Sequence, residues 1–145
     1  MSEGRRIRCV GAILVNPHGQ ILLQQRDDKP GLLYANHWTT FGGSIEDGET
    51  PDEAIQRELL EEIELAPQLR LWKVFDNPVQ RVTGEWVTVE QYIYIGLIDR
   101  LMTEITVNEG QAVGYFGVED LEGLPIAFGF ETLFRELFAH KEELL

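Results

Sequence analysis

Apolar and polar positions change their period several times along the chain, and each change marks an element. Residues 7–15 are mostly apolar and β-branched, residues 21–25 repeat that character, and Asn16-Pro17-His18-Gly19 between them carries strong turn chemistry, so the segment predicts a β-hairpin. Residues 26–36 break the pattern with Asp27, Asp28, Lys29, Pro30 and Gly31, predicting a polar surface loop within reach of a ligand and then a short strand at 38–41. After Gly42-Gly43 the period becomes helical: Thr50 is placed as N-cap, Pro51 as the first helical residue and Glu53 as the partner in a Thr-x-x-Glu capping box. Ile55, Leu59 and Ile63, with Leu60, form an apolar stripe beside an acidic one, and Pro67 is expected to end the helix. Strands follow at 69–75 and 86–98. In the second, Val87, Val89, Gln91, Ile93, Ile95 and Leu97 alternate with Trp86, Thr88, Glu90, Tyr92 and Tyr94, which predicts a central strand covered on both sides. A short strand at 112–116, a helical turn at 118–121 and a last helix from about Glu131, packing through Leu133, Phe134, Leu137 and Phe138, complete the series. Strands mixed with two helices predict an α/β fold with helices on both faces of a mixed sheet.

Composition narrows the setting. A chain of 145 residues with 43% apolar and 10% aromatic residues can build one ordinary core, so a single domain over 1–145 is expected. The N-terminal stretch has neither a signal-peptide pattern nor a membrane span, and the lone Cys9 cannot form an internal disulfide, so a cytoplasmic setting is expected. Net charge is −13, from 25 acidic and 12 basic residues with no Lys/Arg run, which argues against nucleic acid or an anionic membrane as the main partner. A small polyphosphate would be repelled as well. A phosphorylated substrate would therefore need divalent cations to supply the positive charge.

Glu58, Glu61 and Glu62 fall within an arc of about 100° on the helix and could converge on one ion. On a solvated helix such neighbours cost a few tenths of a kcal/mol per pair. In a partly buried cleft, ~6 Å apart, they would repel by about 3 kcal/mol each, and a cation would be needed. The surrounding residues favour the cleft. The segment from Gly43 to Leu65 resembles the signature of the Nudix hydrolase family, G-x5-E-x7-R-E-U-x-E-E-x-G-U with U a bulky aliphatic residue: Gly43, Glu49, Arg57, Glu58, Leu59, Glu61, Glu62 and Leu65 all fit at the required intervals. Glu64 stands where the family has glycine, and Glu does not easily take a left-handed cap. Phe41 stands where many members have proline. Weaker likeness extends to the hairpin, Trp38, Glu109-Gly110-Gln111 and Tyr115-Phe116.

The resemblance implies an α/β/α sandwich that hydrolyses a nucleoside diphosphate linked to another moiety, such as a nucleoside triphosphate, a nucleotide sugar or a dinucleotide. It also implies magnesium or manganese held by Glu58, Glu61 and Glu62, with the Gly42 carbonyl, and a metal-activated water attacking phosphorus in line. Arg57 would orient the carboxylates, although an i,i+4 pair with Glu53 is the plainer reading of its spacing. Glu49 would support Arg57 or the loop, and Gly42 and Gly43 would let the backbone approach the metal. A further acid is expected outside the helix, and Glu109 fits better than Glu90 or Glu119, with a solvated turn as its plainer reading. Arg26 and Trp38 are candidates to touch substrate; Tyr34, Trp72, Tyr92, Tyr94 and Phe116 could also stack on a base but read more naturally as core. Family members are often dimers, which a chain of this size allows. The alternative is a non-catalytic nucleotide-binding or regulatory module of the same fold, whose mark would be missing carboxylates; an isoprenyl diphosphate isomerase would need cysteine and glutamate motifs for which Cys9 is poorly placed.

Overall fold

Alternation along the first strand explains how two cores form on one sheet. The computed structural model describes residues 5–145. β1 (Arg5–Val15) sends Val10, Ala12 and Leu14 to one face and Ile13 and Val15 to the other. The first set packs under α1 (Pro51–Ile63) against Ala54, Ile55, Leu59 and Ile63, and the second under α2 (Glu131–Leu144) against Leu133, Phe134 and Leu137. The sheet is thus the middle layer between two helices, as the sequence leads one to expect.

Its strands run β3 (Trp38–Thr39), β2 (Ile21–Gln25), β1, β6 (Trp86–Leu97), β5 (Leu69–Gln80), with β4 (Phe41–Ser44) also on β1 and β7 (Ala112–Phe116) on β2. β1 and β6 are parallel, in register from Arg5 opposite Val87 to Val15 opposite Leu97, and the other pairs are antiparallel. The sheet is mixed.

Several boundaries differ from the sequence reading, each for a physical reason. The strand expected at 38–41 is two strands broken at Thr40: Trp38 and Thr39 pair with β2, whereas Phe41–Ser44 crosses to β1. β5 runs on to Gln80 through Pro78, which the sheet tolerates because β5 is an edge. In β6 the face of Val87, Val89, Gln91 and Ile93 is buried throughout, but on the other face Trp86 is exposed and Thr88 and Glu90 are only partly covered. Leu60 is half exposed and does not join the stripe; Ala54 and Glu62 do.

Thr50 and Glu53 form both bonds of the capping box, with Pro51 at the first position. The helix ends at Ile63, four residues before Pro67. Glu64 takes the left-handed cap, φ 58° and ψ 34°, and its N–H donates to Leu60 O. What holds this strained residue is Asn108, whose Nδ2 donates to Glu64 Oε2 at 3.0 Å and whose N–H donates to Glu62 O at 2.9 Å.

Candidate functional site

Gly42 and Gly43 are the floor of the site, and the strand break at Thr40 brings them there. At φ 149°, a Cβ on Gly42 would lie 1.9 Å from Val10 O, so no other residue fits this crossing. At Gly43 a Cβ would lie 2.6 Å from Glu58 Oε1. The missing side chain is the space that the Glu58 carboxylate faces.

The acidic residues differ sharply in environment. Glu62 is 2% exposed, its Oε1 accepting from Gly42 N–H at 2.8 Å and its Oε2 from Gln24 Nε2 at 2.7 Å. Burial raises its pKa to about 8, against those two donors and with the charges of Glu58 and Glu109 adding to the rise. Glu58 is partly buried, and burial also holds its pKa above the ordinary carboxylate range despite Arg57 beside it. Glu61 is half exposed at the outer edge.

Arg57 binds these groups together. Its Nε and Nη2 grip Glu49 at 2.7 and 3.0 Å, Nη2 also donates to Ser44 O at 3.1 Å, and Nη1 donates to Glu58 Oε1 at 2.9 Å. Glu61 lies 3.4 Å from the same Nη1. The pair with Glu53 does not form, because Glu53 is occupied by the capping box. The Arg57 fork holds Glu49 down at about 2, and Glu49 in turn accepts from Glu46 N–H.

Glu109 is exposed, yet near enough for its charge to raise both Glu58 and Glu62. Its neighbours pin it there: Asn108 on the end of α1, and Gly110, left-handed at φ 79°, against Gln25 O, to which Gln111 N–H donates. Gln24 and Asn108 are site-building residues that local pattern does not reveal.

Among the described residues no three carboxylates enclose an ion as the helix spacing suggested, since the Arg57 guanidinium sits between Glu58 and Glu61 and Glu62 turns inward. The donor set still fits magnesium or manganese. It is all oxygen, it faces the gap at Gly43, and magnesium needs only one or two carboxylates when waters and substrate phosphate complete its shell.

Beside the glycines opens a cleft of about 270 Å³, near the low end of small-molecule sites at roughly 300–1,000 Å³. Arg26 lines it, donating Nε–H to Leu33 O at 3.0 Å and lying 5.1 Å from the Phe128 ring centre. Trp38 does not line it, and its ring packs edge-on against Phe116 in the core below α2. None of the other aromatics singled out by composition lines it either. Phe128 and Phe130 do, with Asn77, Arg81 and Gln91. Phe128 sits at φ 60°, and Asn77 Nδ2 donates to its carbonyl.

Comparison with known proteins agrees with this architecture. A MutT protein from Methanosarcina mazei Go1 superposes with a TM-score of 0.75 at 19% identity, covering 99% of both chains. A MutT NUDIX hydrolase from Burkholderia pseudomallei gives 0.73 at 25% identity, covering 92% of this chain and 98% of that one. An RNA pyrophosphohydrolase from Azorhizobium caulinodans is 40% identical over 83 residues, 53% of this chain and 49% of that protein. The chain thus spans at most about half the length of the curated relatives it matches. The family model for the NUDIX domain matches residues 5–137, and with the acidic helix, the paired glycines and the sandwich in place, the chain belongs to the Nudix family.

Proposed function

We propose that this chain, as one domain over 1–145, is a divalent-metal-dependent hydrolase of a diphosphate linkage in a nucleotide-type substrate. The observation that carries the proposal is the gathering of Glu58, Glu62 and the Glu109 segment at Gly42 and Gly43, at the mouth of a cleft, with Arg57, the cation bonded to Glu58, already committed to Glu49. Ionising Glu62 beside Glu58 and Glu109 is what burial resists, and a bound cation would offset that cost. Nudix proteins generally use divalent metals, and magnesium or manganese bound here supplies neutralisation of the diphosphate and a more acidic water.

The chain's own residues do the rest. Arg57 fixes the Glu58 carboxylate toward Gly43, and Gln24 with Gly42 N–H fixes Glu62. Glu109, exposed beside them, accepts a proton from the water whose oxygen bonds to phosphorus, while the P–O bond opposite breaks and its oxygen leaves with the bonding electron pair. The apolar cleft takes the organic end of the substrate, with Arg26 on its wall. All the box carboxylates are present, which disfavours a purely binding module.

The relatives' name offers a second substrate, the 5′ end of an RNA. A chain of net charge −13 with no basic run favours a small nucleotide instead. No described helix is long and apolar enough to cross a membrane, and we take the setting to be cytoplasmic. The test is release of phosphate or pyrophosphate from nucleoside triphosphates, nucleotide sugars, dinucleotides and a 5′-triphosphorylated RNA, with and without magnesium or manganese. Metal-dependent product from one of them, lost about a hundredfold or more in Glu58→Gln, is expected. No product from any would leave the binding module as the better account.

A further inference from the structure

The cleft has a polar floor that the hydrolytic groups do not use. Gln91, on β6, is 6% exposed, and its amide has no hydrogen-bond partner among the described residues. It is not sealed in protein, since no fully enclosed side-chain nitrogen or oxygen is left without a partner; the amide opens onto the cleft. Thr40, also 6% exposed, presents its hydroxyl in the same way. The two groups converge over Gly11, where a Cβ would lie 2.8 Å from Thr40 Oγ1 and 3.4 Å from Gln91 Nε2.

In the open cleft water can pair with this amide, whereas Leu or Met at this position would offer a ligand nothing to pair with. A ligand that displaces the water must offer the amide a matching donor and acceptor or leave it unpaired. Register places it. Cys9 pairs with Gln91 on one side and with Ser44 on the other, so Gln91 lies two strand spacings, roughly 10 Å, from the Gly43-Ser44 backbone where phosphates would sit. A diphosphate at Gly43 does not span that distance, but a nucleotide does.

Chemistry then selects the group. A primary amide offers a donor and an acceptor side by side in one plane, and its best complement is a flat ring edge with adjacent acceptor and donor. The walls above it, from Phe128, Phe130, Val79, Val87 and Val89, suit a flat ring and not a sugar. We infer that Gln91, assisted by Thr40, is a specificity-determining residue that reads the hydrogen-bonding edge of a nucleobase in this cleft. The inference rests on the reading that the cleft holds the organic end of the substrate.

The experiment is metal-free calorimetric binding of the four common nucleoside monophosphates and of ribose 5-phosphate, to wild type and to Gln91→Met, which keeps length but removes both hydrogen-bonding atoms. Wild type is expected to bind at least one nucleoside monophosphate at least about tenfold more tightly than ribose 5-phosphate. Gln91→Met is expected to weaken that binding about tenfold to a hundredfold and to leave ribose 5-phosphate alone. In turnover, KM should rise with a smaller effect on kcat. Should Gln91→Met fail to fold by circular dichroism, Gln91→Glu keeps the shape, replaces the donor with an acceptor and should show the same loss. Equal affinity of wild type for bases and for ribose 5-phosphate would mean that the amide serves water only and would overturn the inference. So would unchanged affinity in the folded variants, or a loss confined to kcat. Gln91-dependent binding without any metal-dependent product would sink the hydrolytic reading alone, and product formation indifferent to Gln91 would sink this one alone.

Discussion

Every nitrogen of the Arg57 guanidinium is engaged, two of them on Glu49 and one on Glu58. A lysine brings one point charge and no planar fork, so it cannot hold Glu49 and aim Glu58 together. Arg57→Lys is therefore expected to lower turnover roughly 10–100-fold with an unchanged circular dichroism spectrum; full activity would show that the fork is dispensable. Glu62 makes a second expectation at this scale. It ionises near 4.5 in the unfolded chain, and burial holds it up to about 8 in the fold. Between those values the native state keeps a proton that the unfolded state has released. Its contribution to stability is thus complete below 4.5, falls as pH rises toward 8 and is lost above it. Melting of the chelated protein should accordingly drop from about pH 5 to pH 8, and Glu62→Gln should flatten that slope. Manganese added at pH 7 should release protons, which calorimetry in buffers of different ionisation enthalpy would count; no release would mean that Glu62 is already ionised or does not take part.

At the scale of elements, the ends of α1 and β4 carry the strain. Glu64→Gly relieves a left-handed residue worth about 1 kcal/mol or more but loses the acceptor for Asn108 Nδ2, so the gain should emerge in full only in an Asn108→Ala background. Urea unfolding of the two single variants and the double would settle it, and a destabilised Glu64→Gly in that background would contradict the strain. The glycines of β4 should separate fold from site. Gly42→Ala drives a Cβ into Val10 O and should fail to fold, whereas the nearest atoms to a Cβ on Gly43 belong to the Glu58 carboxylate, the far end of a side chain that can shift, so Gly43→Ala should fold with activity lost. These cases also show what local spacing reveals. The capping box, the hairpin and the carboxylate stripe depend on neighbours within four residues, and sequence periodicity reports such neighbours directly. The break at Thr40 depends on which of two strands Phe41–Ser44 joins, and nothing within that segment decides it. Gln24 reaches Glu62 across 38 positions, Asn108 reaches Glu64 across 44, and Phe128 lines the cleft through a backbone conformation held by Asn77, 51 positions away. Composition therefore offered six aromatics for a base, and the fold puts two others at the cleft.

For the whole molecule, the excess of 25 acidic over 12 basic residues sets how an anionic substrate approaches. Repulsion from a like-charged body acts over about 30 Å at 0.01 M salt and about 8 Å at 0.15 M. Screening should thus help a small nucleotide to arrive, and kcat/KM measured at saturating metal should rise as potassium chloride is added over that range. Binding of a long polyanion through arginines and lysines has the opposite sign, because each phosphate contact releases counterions and weakens as salt increases. Among the described residues Arg5, Arg6 and Arg8 on β1 form a cluster that could act this way, yet Arg6 is paired with Asp76 and Arg8 with Glu90, so two of its three charges are already partnered. Salt titration on a nucleoside triphosphate and on a 5′-triphosphorylated RNA would separate the two substrates by sign alone. A fall in kcat/KM for both would mean that local cations, not the net charge of the chain, govern the encounter, and would restore the RNA end as a substrate to be weighed.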